Sequence, residues 1–125
     1  MLFPNKKINL NYFIEDKYEA GIELKGTEVK SIIKANANID EAFVIIRNQE
    51  AYVINMYVAP FKEGNINNVD PNRNRKLLLH KNEIIKMDYQ VKKNRLTIIP
   101  TKVYLQNGMI KMEVSIFKSN KAPDK

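Results

Sequence analysis

The 125-residue chain has no cysteine, no tryptophan, one histidine (His80), and four isolated glycines. Without cysteine it can form neither a disulfide nor a thiolate metal site, which is compatible with a reducing cytosol. Hydrolytic metal centres draw on clustered Asp, Glu and His, whereas the acids here are scattered among lysines. Glu15 and Asp16 are adjacent, which on a strand places them on opposite faces. Isolated glycines make no phosphate-binding loop and no dinucleotide fingerprint. No serine or threonine context suggests an activated nucleophile. The chain therefore reads as a non-enzyme with no cofactor, no metal and no small-molecule substrate. No apolar run approaches the ~20 residues of a membrane span, and the start, Met1-Leu-Phe-Pro-Asn-Lys-Lys7, is too polar and short for a secretion signal. A soluble, cytoplasmic domain with no membrane partner is expected.

What is present is positive charge on an ordinary globular background. Lys and Arg number 21 against 14 acids, a formal charge of +7, and 44% of residues are hydrophobic. That composition predicts one domain able to bury a core and an anionic partner, nucleic acid first. The most informative stretch is Asp70-Pro-Asn-Arg-Asn-Arg-Lys-Leu-Leu-Leu-His-Lys81, where Arg73, Arg75, Lys76 and Lys81 have no acid between them. Arginine's planar fork suits phosphate and its face can stack on a base, so this cluster is expected to contact RNA. The alternative is a structural role clamping the long loop before it. Leu77, Leu78 and Leu79 tie the cluster to the core, although in an extended segment Leu78 faces away from its neighbours.

Alternation at Tyr12, Ile14, Ala20, Ile22 and Leu24 predicts a strand, with Gly21 at a bulge or close approach. Thr27 is the expected N-cap of a short helix carrying Val29, Ile32 and Ile33, ended by Asn36 and Asn38. A hairpin follows over 42–47 and 51–58 around Asn48-Gln49-Glu50. Residues 60–71 read as a long loop, residues 80–92 as a second helix, and 95–104 and 109–117 as strands about a turn at Gln106-Asn107-Gly108. The expectation is a mainly β (α+β) fold, a closed or nearly closed antiparallel OB-like β-barrel with two to three flanking helices. Residues 1–118 are expected to form a single RNA-binding barrel domain, with 119–125 a short, disordered end.

Tyr12, Phe13, Tyr18 and Phe43 are candidates to stack on unpaired bases, but alternation assigns about half of them to the core. His80 reads as a helix cap or a satisfied half-buried side chain ahead of an RNA contact. Glu19 stands out because a carboxylate repels phosphate. It either pairs with a nearby lysine or arginine, the reading that residue types favour, or accepts bonds from a base edge.

Two blocks in this order, Tyr12-Phe-Ile-Glu-Asp-Lys-Tyr-Glu-Ala-Gly-Ile-Glu-Leu-Lys-Gly-Thr-Glu-Val-Lys-Ser31 and Asp70–Lys81, resemble the small protein B family, the partner of transfer-messenger RNA in ribosome rescue. Further landmarks are Asn55, Pro60, Gly64-Asn65, Leu96-Thr97, Pro100 and Lys111, so the resemblance runs from about Asn5 to Lys118. It implies an oligonucleotide-binding barrel that holds the tRNA-like domain of transfer-messenger RNA (tmRNA) and delivers it to stalled ribosomes for trans-translation and peptide tagging. It also implies roles in RNA binding for Glu19, Leu78 and Lys111, which moves Glu19 towards contact. The expected RNA-binding set is therefore Glu19, Arg73, Arg75, Lys76, Leu78 and Lys111. The runner-up is another OB-type ribosomal or translation-factor module.

The chain departs from the family pattern at Tyr57 and Val69, where histidine is usual, without loss of a positive patch. The larger departure follows Lys118, where the family usually carries a long basic tail and this sequence reads Ser119-Asn-Lys-Ala-Pro-Asp-Lys125. Such an end offers little charge, and Pro123 disfavours a helix. These 125 residues are therefore expected to carry the RNA but to support tagging poorly.

Overall fold

The computed structural model describes residues 1–8, 13–60, 70–94 and 96–118. Tyr12, most of the long loop with Val69, Arg95 and the 119–125 end lie outside the described residues. In chain order the elements are β1 (Phe3–Pro4), β2 (Phe13–Ile22), α1 (Gly26–Ile33), β3 (Ala37–Asn38), β4 (Phe43–Arg47) and β5 (Glu50–Ile54). They continue with β6 (Tyr57–Val58), β7 (Arg75–Leu78), α2 (Lys81–Asn94), β8 (Thr97–Gln106) and β9 (Met109–Lys118). The fold is mainly β with two helices among the described residues. One seven-stranded antiparallel sheet runs β1-β8-β4-β5-β7-β2-β9, and a further β8–β9 pairing brings its strands round into a ring. β3 and β6 form a separate two-stranded ladder.

Both tight hairpins follow from backbone tolerance. Asn48 and Gln49 have φ of 54° and 63°, and Asn107 and Gly108 have 53° and 77°. Two consecutive positive-φ residues are what a primed two-residue turn needs to match strand twist. The second turn sets the β8–β9 register, opposing Gln106 to Met109, Leu105 to Ile110 and Tyr104 to Lys111. The strand expected over 51–58 is broken at Asn55, whose φ is 62°. Strand alternation then sorts side chains: Ala20, Ile22, Val53, Leu77, Val103, Met112, Val114 and Ile116 face the core.

Helix α1 corrects two expectations. Its N-cap is Lys25, not Thr27, and the cap is made by Glu28, whose Oε1 accepts the Lys25 N–H at 2.8 Å. Thr27 Oγ1 is buried without a hydrogen-bond partner among the described residues. At the other end the left-handed residue is Ala35 (φ 59°), not an asparagine. The Ala35 N–H donates to Ile32 O and the Asn36 N–H to Ser31 O, the paired bonds of a Schellman motif. An alanine held left-handed is strained by its Cβ. Ala35→Gly should therefore raise stability by roughly 0.5–1 kcal/mol in urea unfolding, and a fall in midpoint would refute this account.

Helix α2 packs through Ile84, Met87 and Val91, one side of a helix at i, i+3 and i+7. His80 sits just before it, and its N–H donates to Glu83 Oε1 at 3.1 Å while Glu83 N–H returns to His80 O at 2.9 Å. This agrees with the helix-cap reading of His80. The Tyr18 hydroxyl and Gln90 hydrogen-bond at 3.1 Å, tying α2 to β2. Burial first, then the Asp16 charge, pushes the Tyr18 phenol up to about 12.

Candidate nucleic-acid interface

The outer face of β7, β2, β9 and β8 carries the candidate site. Gly21 of β2 pairs with Leu78 of β7 on one side and Lys111 of β9 on the other, and Lys111 pairs onward with Tyr104 of β8. Paired residues share a sheet face, so Leu78, Gly21, Lys111 and Tyr104 make one row across four strands. Glu19 lies two residues along β2 and joins that face beside Lys111. Leu78 is 50% exposed while Leu77 is 1% exposed, which places Leu78 outward as strand alternation predicts. A Cβ on Gly21 would come within 3.3 Å of the Leu78 Cβ. Glycine there lets Leu78 lie across the strand and keeps the middle of the row low. Glu19, Leu78 and Lys111, together with Leu79, His80 and Glu83, line one open concavity of about 460 Å³.

Sequence reasoning missed Tyr104. It stands at the end of the row, and its pKa is raised first by burial and then by the nearby Glu19 carboxylate. The Glu19 carboxylate thus lies near a tyrosine. The signal was available in the Asn107-Gly108 turn, because counting back from a two-residue hairpin opposes Tyr104 to Lys111. Glu113 directly faces Glu19, a pairing that like charges disfavour. Lys102 Nζ at 3.7 Å from Glu113, and the Thr101 hydroxyl donating to the same carboxylate, offset it.

The arginine cluster is the principal correction. Arg75 is fully buried. It sits on the inner face of β7 with Leu77, donating from Nε to Glu28 Oε2 at 2.8 Å, from Nη1 to Met56 O at 2.7 Å and from Nη2 to Pro71 O at 3.1 Å. Arg73 donates from Nε and Nη2 to the same carboxylate at 2.9 and 2.7 Å. Glu28 is itself 3% exposed. Burial pushes its carboxyl pKa up, but the bonds from Arg73, the Lys25 N–H and Arg75 outweigh that and hold it below the ordinary 4.5. Burial also pushes the Arg75 guanidinium down, against the opposing Glu28 charge, yet arginine stays charged. Between Arg73 and Lys81 there is no acid along the chain, but there is one in space. Arg75 clamps α1, the segment after β5 and the turn entering β7, so the loop-clamp alternative describes it and it is withdrawn from the RNA-facing set.

Lys76 does face outward, on the same side of β7 as Leu78, but Glu50 Oε2 lies 3.2 Å from its Nζ. This bond and charge raise the Lys76 pKa. Lys76 is thus available to phosphate at the cost of an exposed pair, which is small. Arg73 keeps 26% exposure of its side chain and is a secondary candidate. Of the candidate aromatics, Tyr18 is half-buried against α2 and Phe43 is 37% exposed, on β4 and away from this row. Among the described residues no group of His, Asp and Glu could hold a metal, and no helix is long and apolar enough to cross a membrane.

The chain is similar to known proteins along nearly its whole length. A family model described as SmpB protein matches residues 2–125. The SsrA-binding protein of Malacoplasma penetrans (strain HF-2) is 53% identical over 125 residues, spanning all of this chain and 86% of that protein. The SsrA-binding protein of Ureaplasma parvum serovar 3 is 50% identical, across all of this chain and 89% of the relative. A solved structure described as "tmRNA-SmpB: a journey to the center of the bacterial ribosome" superposes with a TM-score of 0.79. It is 39% identical and covers 98% of this chain and 87% of that one.

Proposed function

The chain belongs to the SmpB protein family, and from that premise we propose how its outer sheet face serves the RNA partner. The protein binds tmRNA and acts with it at the ribosome in trans-translation. The finer reading is that Glu19, Leu78 and Lys111 hold the tRNA-like domain, with Lys76 and Arg73 as flanking phosphate contacts. The observation that carries it is the row itself. Gly21 brings an exposed leucine, a lysine and a carboxylate onto one open face. Each supplies a different part of RNA recognition: an apolar platform, a phosphate partner and a directional acceptor for base or ribose donors.

The ring of antiparallel strands with its two helices reads as an OB-like barrel, and residues 1–118 as one RNA-binding domain. The site offers binding groups and no activated nucleophile, so its action is recognition and delivery, in the cytoplasm where ribosomes work. The test is a filter-binding competition: labelled tmRNA should be displaced by its isolated tRNA-like domain and poorly by bulk tRNA. Equal displacement by bulk tRNA would favour a general OB-type RNA-binding module.

A further inference from the structure

A second concavity opens beside the row, between α1 and the β8–β9 turn. Val29 and Ile33 of α1 form one wall, Met109 and Ile110 the other, and Ile22 and Leu78 the floor. Ile33, Leu78 and Met109 are 47%, 50% and 58% exposed. Isolated exposed apolar side chains need no explanation, but three around one groove do.

We propose that this groove receives the apolar face of one unstacked base of the bound RNA, an inference that rests on the RNA-binding reading of the adjoining row. Three observations select that occupant. The groove is continuous with the row, since Leu78 lines both concavities and Gly21 lies beneath it. Its volume of about 240 Å³ falls below the roughly 300–1,000 Å³ of sites for larger ligands. It suits one flat ring system rather than a helix laying down several anchors. Lys25 is exposed at the start of α1 and Lys111 lies on the sheet side, placing positive charge where the phosphates flanking a splayed base would run. Unstacked bases are the part of structured RNA that proteins read by stacking and apolar contact.

An apolar contact has a signature that a phosphate contact lacks. Removing it weakens binding without changing how binding depends on salt, because no counterion release is lost. The experiment measures the Kd of the tRNA-like domain against salt for the wild type, for Ile33→Ala combined with Met109→Ala, and for Met109→Gln, which keeps side-chain length on an exposed turn. The same RNA carrying 2-aminopurine at single loop positions reports base stacking. Both variants should raise Kd, the double by about tenfold, as for loss of one stacked base, with the salt slope unchanged. One 2-aminopurine position should lose its binding-induced fluorescence change. Unchanged Kd and fluorescence in folded variants would overturn the proposal. So would unchanged RNA affinity with impaired ribosome loading, which would assign the groove to a protein partner. Failure of the wild type to bind the RNA at all would overturn both this and the function on which it rests.

Discussion

Arg75→Ala should destabilise the fold by about 3–5 kcal/mol, the range for removing one member of a buried ion pair. Against a total of ~5–15 kcal/mol for a domain, that leaves a substantial unfolded fraction at physiological temperature. The cost has two parts. Glu28 loses one of the two guanidinium partners that balance its burial, and the Met56 and Pro71 carbonyls lose the donors that tie three segments together. Arg75→Lys should recover little, because one ammonium cannot reach a carboxylate and two separate carbonyls in the fixed geometry of a guanidinium fork. Urea unfolding measures this directly, and a loss below about 1 kcal/mol would contradict the clamp.

The same clamp has a pH dependence of definite sign. The Glu28 carboxyl is held below its ordinary value of 4.5 in the folded protein. Its contribution is therefore present above that value and is lost as pH falls through the lower folded value. Replacing Arg73 by Ala weakens what holds the carboxyl down, so acid unfolding should begin at higher pH than in the wild type.

Lys111→Ala and Glu19→Ala should each weaken binding to the tRNA-like domain by roughly 1–3 kcal/mol while leaving the melting temperature nearly unchanged. They should differ in salt response. Lys111→Ala should flatten the slope of log K against log salt by about 1, the contribution of one phosphate, and Glu19→Ala should leave it unaltered. Sequence pattern alone groups Arg75 with these residues as a phosphate contact. A slope loss on Arg75→Lys, in protein shown to be folded, would restore it to the interface. Unfolding by Glu19→Ala would show Glu19 to be structural and defeat the contact reading.

Strand and helix identity were legible because they depend on neighbours in the chain. Alternation placed Leu78 outward and Leu77 inward, and Asn107-Gly108 carried the register that opposes Tyr104 to Lys111. The family blocks pointed to Glu19, Leu78 and Lys111, which the fold brings to one concavity. Thr27 misled as a cap because residue type favoured it, while Glu28 made the bond from within the helix.

What only the tertiary structure decided is where the charges go. Glu28 lies 45 and 47 residues from Arg73 and Arg75, a separation at which no local pattern records pairing. The sequence determined that the surface is basic and that β7 alternates. Folding decided which cations remain outside. Once strand alternation turned Arg75 towards the core, its charge needed a buried counter-ion, and the first turn of α1 supplied one.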